Sequence, residues 1–167
     1  QVSNALLARR QNLGGHHIDT IRSRIDLGAI YLDQGRIDLA VEELRSALTL
    51  AESVIGEQHP YTFEALNNLA RALEMQGQVS DAVRLREMGL TRRSHFLDRM
   101  LWVTGENARE GYIRLHEPEL HDYLALLTRS GDPEAGKKAL EASLQRKGLL
   151  LKITSEIEQI AQLSNDP

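Results

Sequence analysis

The chain has 167 residues, 41% of them apolar and 26% charged, the proportions of one globular domain able to bury a core. A net charge of −4 gives no general attraction to nucleic acid or acidic membrane. The absence of cysteine excludes disulfides, thiolate metal sites and a cysteine nucleophile within these residues.

Only four prolines interrupt the chain, and aromatics make up 4%, so helices are expected rather than a sandwich or barrel. No apolar run approaches membrane-spanning length, and no signal-peptide pattern opens the chain. It begins at Gln1 without an initiator Met, and reads as a piece of something longer.

Residues 1–13 read as a helix that leads into "GGHHIDT" at 14–20. A related stretch, "GEQHPYT", stands at 56–62, so Gly14, His17 and Thr20 correspond to Gly56, His59 and Thr62 at a spacing of 42. The same shift sets Leu27 on Leu69, Gly28 on Ala70, Gln34 on Gln76 and Gly35 on Gly77. It also sets Ile37 on Val79, Ala40 on Ala82 and Val41 on Val83. Side-chain size class survives at each position, which is the signature of a repeat.

Each unit reads as two helices. Phe63, Leu66, Ala70 and Leu73 follow the 3-4-3 spacing of one helical face. Gly35 and Gly77 fall where the first helix of each unit should stop, because glycine tolerates the left-handed conformation. Asp38 and Ser80 are expected to cap the second helices, and small residues at Gly28/Ala70 and Ala40/Ala82 to let paired helices approach. Pro60 suits the first turn of a helix, which makes "GEQHPYT" the joint between helix pairs. His17 and His59 then serve turn chemistry rather than metal binding or catalysis.

These residues resemble the tetratricopeptide repeats, in the 42-residue variety found in kinesin light chains. Leu27, Gly28, Tyr31, Gly35, Ala40 and Ala47 carry the likeness in the first unit. Leu69, Ala70, Leu73, Gly77, Ala82 and Gly89 carry it in the second, with "ALNNLARALEMQG" at 65–77. The resemblance implies an all-α fold, a right-handed α-α superhelix of helix pairs over residues 1–97. A helical capping and connecting region at 98–167 ends in a long C-terminal extension.

The period fails after residue 97. Pro118 is expected to interrupt "ENAREGYIRLHEPELHDYLALLTRSG", and Asp132 with Pro133 to open a long helix running to about residue 163. Leu140, Leu144, Leu151, Ile153, Ile157, Ile160 and Leu163 give that helix an apolar seam. Trp102 reads as a core residue closing the array. "ALEASLQRKGLLL" at 139–151 is similar to the stretch that precedes bacterial caspase-like domains of the CHAT type. That resemblance implies a cytoplasmic sensor or docking arm of a larger protein.

The family presents the first helix of each unit on a concave wall, which the resemblance implies is the docking groove for a protein or peptide. Glu64, Asn67, Arg71 and Glu74 form a polar stripe there, with Asn68 beside it; Arg22, Ile25 and Asp26 occupy the wall in the first unit. Ile25 and Ala29 stand where a terminal-carboxylate clamp would need Lys and Asn, which argues against chaperone-tail binding. No cofactor is expected. "HEPELH" at 116–121 resembles a zinc-protease motif but spaces its histidines i, i+5 rather than i, i+4, so no metal is expected. An enzyme would have to use His116, Glu117, His121 and Asp122. A nucleic-acid regulator would use Arg84, Arg86, Arg92, Arg93 and Arg99, which read more simply as a solvated outer face. The expectation is a non-catalytic interaction module.

Overall fold

A computed structural model of the chain describes residue 4, residues 17–100 and residues 106–148, and all regular structure among them is α-helical. The helices are α1 (Ile18–Asp33), α2 (Ile37–Val54), α3 (Pro60–Met75), α4 (Val79–Met100), α5 (Glu106–Leu115), α6 (Glu117–Ser130) and α7 (residues 135–148). The chain divides into two compact units, Gln1–Gly89 and Leu90–Pro167. The division falls inside α4, upstream of the 97/98 boundary read from the period.

In the first unit the repeat is visible atom by atom. His17 and His59 both stand in extended conformation immediately before a helix, with φ/ψ of −77/145° and −73/143°. Each ring accepts the backbone N–H two residues on, Asp19 to His17 Nδ1 at 3.2 Å and Tyr61 to His59 Nδ1 at 3.1 Å. One otherwise orphaned N–H of the first turn is thereby satisfied. Thr62, fully buried, donates its hydroxyl to the Gly56 carbonyl at 2.7 Å and ties the start of α3 to the turn that leaves α2.

The helix ends repeat as faithfully as the starts. Gly35 (φ 70°) and Gly77 (φ 83°) take the left-handed conformation after α1 and α3. The N–H of Arg36 then reaches back to the Tyr31 carbonyl (2.9 Å), as that of Gln78 does to Leu73 (2.8 Å). These are the six-residue closures of a glycine-ended helix. The residue left at the cap of α2 is Arg36, whose side chain only donates and makes no capping hydrogen bond. Asp38 is the second residue of α2, not its cap; it accepts a hydrogen bond from Gln76 Nε2 at 2.6 Å. Ser80 likewise lies inside α4, which begins at Val79.

Helix α1 packs on α2, α2 on α3, and α1 on α3. Ile21, Ile25 and Leu32 of α1 and Ala40, Leu44, Ala47 and Ala51 of α2 are all nearly or fully removed from water. Each large aliphatic side chain so buried stabilises the unit by about 1.5–3 kcal/mol. Gly28 and Ala40 are the small residues that permit this approach, and Ala82 and Val83 are buried likewise.

In the second unit Pro118 falls in the first turn of α6, so the stretch from 106 to 130 is a broken pair. Gly131 (φ 65°) ends α6. Asp132 then caps α7, accepting the Glu134 N–H at 2.9 Å. Its hydrogen bonds from Lys138 and from the Glu134 N–H hold its carboxyl below the ordinary carboxylate range. Regular helix begins at 135, with Pro133 in the preceding turn rather than at the first helical position. Leu140 and Leu144 are exposed rather than packed. Gly14, Trp102 and the seam beyond residue 148 lie outside the described residues.

Candidate functional site

The polar residues singled out in the sequence sit on α1 and α3, which pack side by side. Arg22 places its guanidinium carbon 5.9 Å from the centre of the Tyr61 ring, and that ring lies 5.2 Å from His59. The capping residue of α3 therefore also orders the aromatic on which Arg22 rests. Partial burial, then repulsion from Asp26, push the Glu64 carboxyl above its ordinary 4.5, while Arg22 pulls it back. Although Glu64 as a whole residue is exposed, its carboxyl shares one electrostatic neighbourhood with Asp26 and Arg22 on the adjacent helix.

Asn67, Asn68 and Glu74 are half-buried along α3, and Arg71 is exposed. These side chains bring hydrogen-bond donors and acceptors of both charges to one face. Ile25 does not belong with them. It is 1% exposed and part of the core, so it cannot line a groove.

The rival constellations do not assemble. His116 is turned into a buried cluster, whereas Glu117, His121 and Asp122 are exposed on α6. Among the described residues no group of three or more His, Asp or Glu side chains could hold a metal. The arginines of α4 do not form one solvated face either, because Arg86 and Arg93 are buried.

Arg93 anchors a cluster that sequence reasoning missed. Its Nε and Nη2 donate to the two carboxylate oxygens of Glu119, each at 2.7 Å, and its Nη1 donates to the Tyr112 hydroxyl at 2.8 Å. His116 Nε2 lies 3.2 Å from the same Nη1, and His116 Nδ1 lies 3.2 Å from Glu119 Oε1. An arginine only donates and a carboxylate only accepts, so the imidazole carries its hydrogen on Nδ1 and its lone pair on Nε2. The i, i+3 spacing of His116 and Glu119 was legible; their shared partner, 23 and 26 residues upstream, was not. Beside the cluster is an open cleft of about 60 Å³, bordered by Leu90, Leu97, Ile113 and Leu120 and flanked by α7.

Helix pairs that turn on a repeated glycine and display a mixed polar face define a helical-repeat scaffold. The tetratricopeptide repeat family model matches residues 2–53 and 26–94, more than half of the sequence, and the chain belongs to that family. Two solved structures of a kinesin light chain from Podosopora anserina, described as having nearly identical TPR-like repeats, superimpose with a TM-score of 0.51. The first is 18% identical and covers 98% of this chain and 83% of its own. The second, a substituted form of the same protein, is 16% identical and covers 96% and 85%. At such identities the likeness shows the fold alone: an all-α array of tetratricopeptide-type helix pairs. No curated protein matches the chain. The repeats mark it as a protein–protein interaction module, of a fold that generally serves as a non-catalytic scaffold. No described helix is long and apolar enough to cross a membrane.

Proposed function

We propose that the chain docks a peptide or domain face of a partner protein on the wall built by α1 and α3. The observation that carries this reading is the coupling of Arg22, Asp26 and Glu64 across two adjacent helices. Asn67, Asn68, Arg71 and Glu74 continue the same polar surface along α3. Amide and guanidinium groups at that spacing hydrogen-bond an extended backbone, and the Arg22–Tyr61 stack offers a flat surface to a side chain. A photocrosslinking residue at position 68 should label the partner. Asn67→Ala combined with Arg71→Ala should then weaken its binding by about tenfold or more in titration calorimetry, at an unchanged melting midpoint. Unchanged affinity would remove this face from consideration.

The same reading makes the chain a sensor or docking arm of a larger bacterial cytoplasmic protein that regulates a caspase-like domain. Its support is the resemblance of residues 139–151 to the stretch preceding such domains, not the repeats. The gene beyond the codon for Pro167 tests it directly, since a Cys- and His-containing domain is expected there.

A further inference from the structure

The cleft of the second unit is independent of the α1–α3 wall, and its chemistry points to a small ligand. Leu90 and Leu97 come from α4, Ile113 from α5 and Leu120 from α6. Arg93 and His116 also border it, but they and Glu119 already satisfy one another and present a closed polar wall. Arg146 of α7 is different. Its Nη2 donates to the Ile113 carbonyl at 2.8 Å, a neutral acceptor, and no carboxylate among the described residues pairs with it. The half-buried guanidinium thus stands at the edge of an apolar cavity with its charge uncompensated.

Size and charge together select the ligand. One water needs about 10–15 Å³ of such volume, so about 60 Å³ admits roughly four to six non-hydrogen atoms. A branched hydrocarbon end of that size fits; an aromatic ring with its substituents does not. A carboxylate at the mouth would meet Arg146 in a charge-assisted, two-pronged hydrogen bond. An amine would be repelled by the same group. We propose that this cleft binds a free, short, branched aliphatic carboxylate, with its methyl groups among Leu97, Ile113 and Leu120 and its charge on Arg146. Ser94 and Gln145, also at the border, supply a hydroxyl and an amide to the remaining carboxylate lone pairs.

Isovalerate is the probe, read by methyl NMR of the whole chain labelled at Leu and Ile. It should shift the Leu97, Ile113 and Leu120 methyl resonances with a Kd of about 1 mM, as befits so small a ligand. Isovaleramide, equal in shape but uncharged, should bind about tenfold more weakly or worse. Arg146→Gln should abolish the preference for acid over amide, and Arg146→Lys should retain it. Ala142→Phe fills the cleft from α7 with Arg146 in place, and should block both compounds at a melting midpoint close to that of the parent. Equal binding of acid and amide, binding that survives Ala142→Phe, or no shifts well above that concentration would each overturn the proposal. Tenfold tighter binding of N-acetyl-leucine than of isovalerate would also overturn it, by making a chain terminus the occupant.

Discussion

Gly28 of α1 lies directly against Leu44 of α2, so closely that a Cβ at position 28 would run into Leu44 Cγ and come 2.7 Å from Cδ2. At a helix-interior glycine, alanine normally gains about 0.5–1 kcal/mol through helix propensity. Overpacking a filled core costs about 1–3 kcal/mol, and here it should win. Gly28→Ala is expected to lower unfolding stability by about 1–2 kcal/mol in denaturant titrations. Joined to Leu44→Ala, it should cost less than the sum of the two single changes, because the second removes the obstacle. Strict additivity would mean that the contact is not what holds these helices at their spacing. Forty-two positions on, the same two places hold Ala70 and Arg86, both buried, so the second repeat fills that space differently.

The Arg93–Glu119 pair makes a second prediction. Both side chains are largely withdrawn from water, at 8% and 16% exposure. Removing one partner strands the other charge, at a cost of about 3–5 kcal/mol. Glu119→Leu and Arg93→Met should each destabilise the chain on that scale, followed by circular dichroism in urea. The double variant should recover most of the loss, since a buried ion pair replaced by apolar groups of similar size is often close to neutral. A double variant as unstable as either single one would mean that Tyr112 and His116 depend on this pair in a way apolar packing cannot replace.

Glu64 predicts a pH dependence. Its folded carboxyl is raised above 4.5, first by burial and then by Asp26. The folded state therefore binds this proton more tightly than the unfolded state does. The contribution to stability is fully present below 4.5 and is lost as pH rises through the folded value. Glu64→Gln, which mimics the protonated form, should raise the melting midpoint at pH 7. The advantage should shrink toward zero as pH falls below 4.5. A variant that gains nothing at neutral pH would show that Asp26 and Arg22 do not act on this carboxyl.

Much of this architecture could be read without coordinates, for local reasons. His17 and His59, Gln34 and Gln76, Gly35 and Gly77 set helix boundaries through hydrogen bonds to residues at most five positions away. A period in the sequence therefore becomes a period in the backbone. Asp38 misled because a left-handed glycine lets the next helix begin at Ile37, two residues earlier than a cap at 38 requires. Ile25 misled because a shift of 42 preserves position on the helix but not exposure. Asn67 at the corresponding place is half-buried at the rim of the core, where the first repeat packs an isoleucine. Arg93 looked like one of several surface arginines, since its burial depends on Glu119 and Tyr112 in a region without a period.

The order of packing in the first unit bears on how it comes into being. Among α1, α2 and α3 each helix touches only the next one or two along the chain, and each joint is fastened by groups a few residues apart. Folding such a stretch requires no search for remote segments: one hairpin of rods forms and the following one condenses onto it. Growth on the ribosome can proceed in the same direction, every newly emerged pair finding its template already standing.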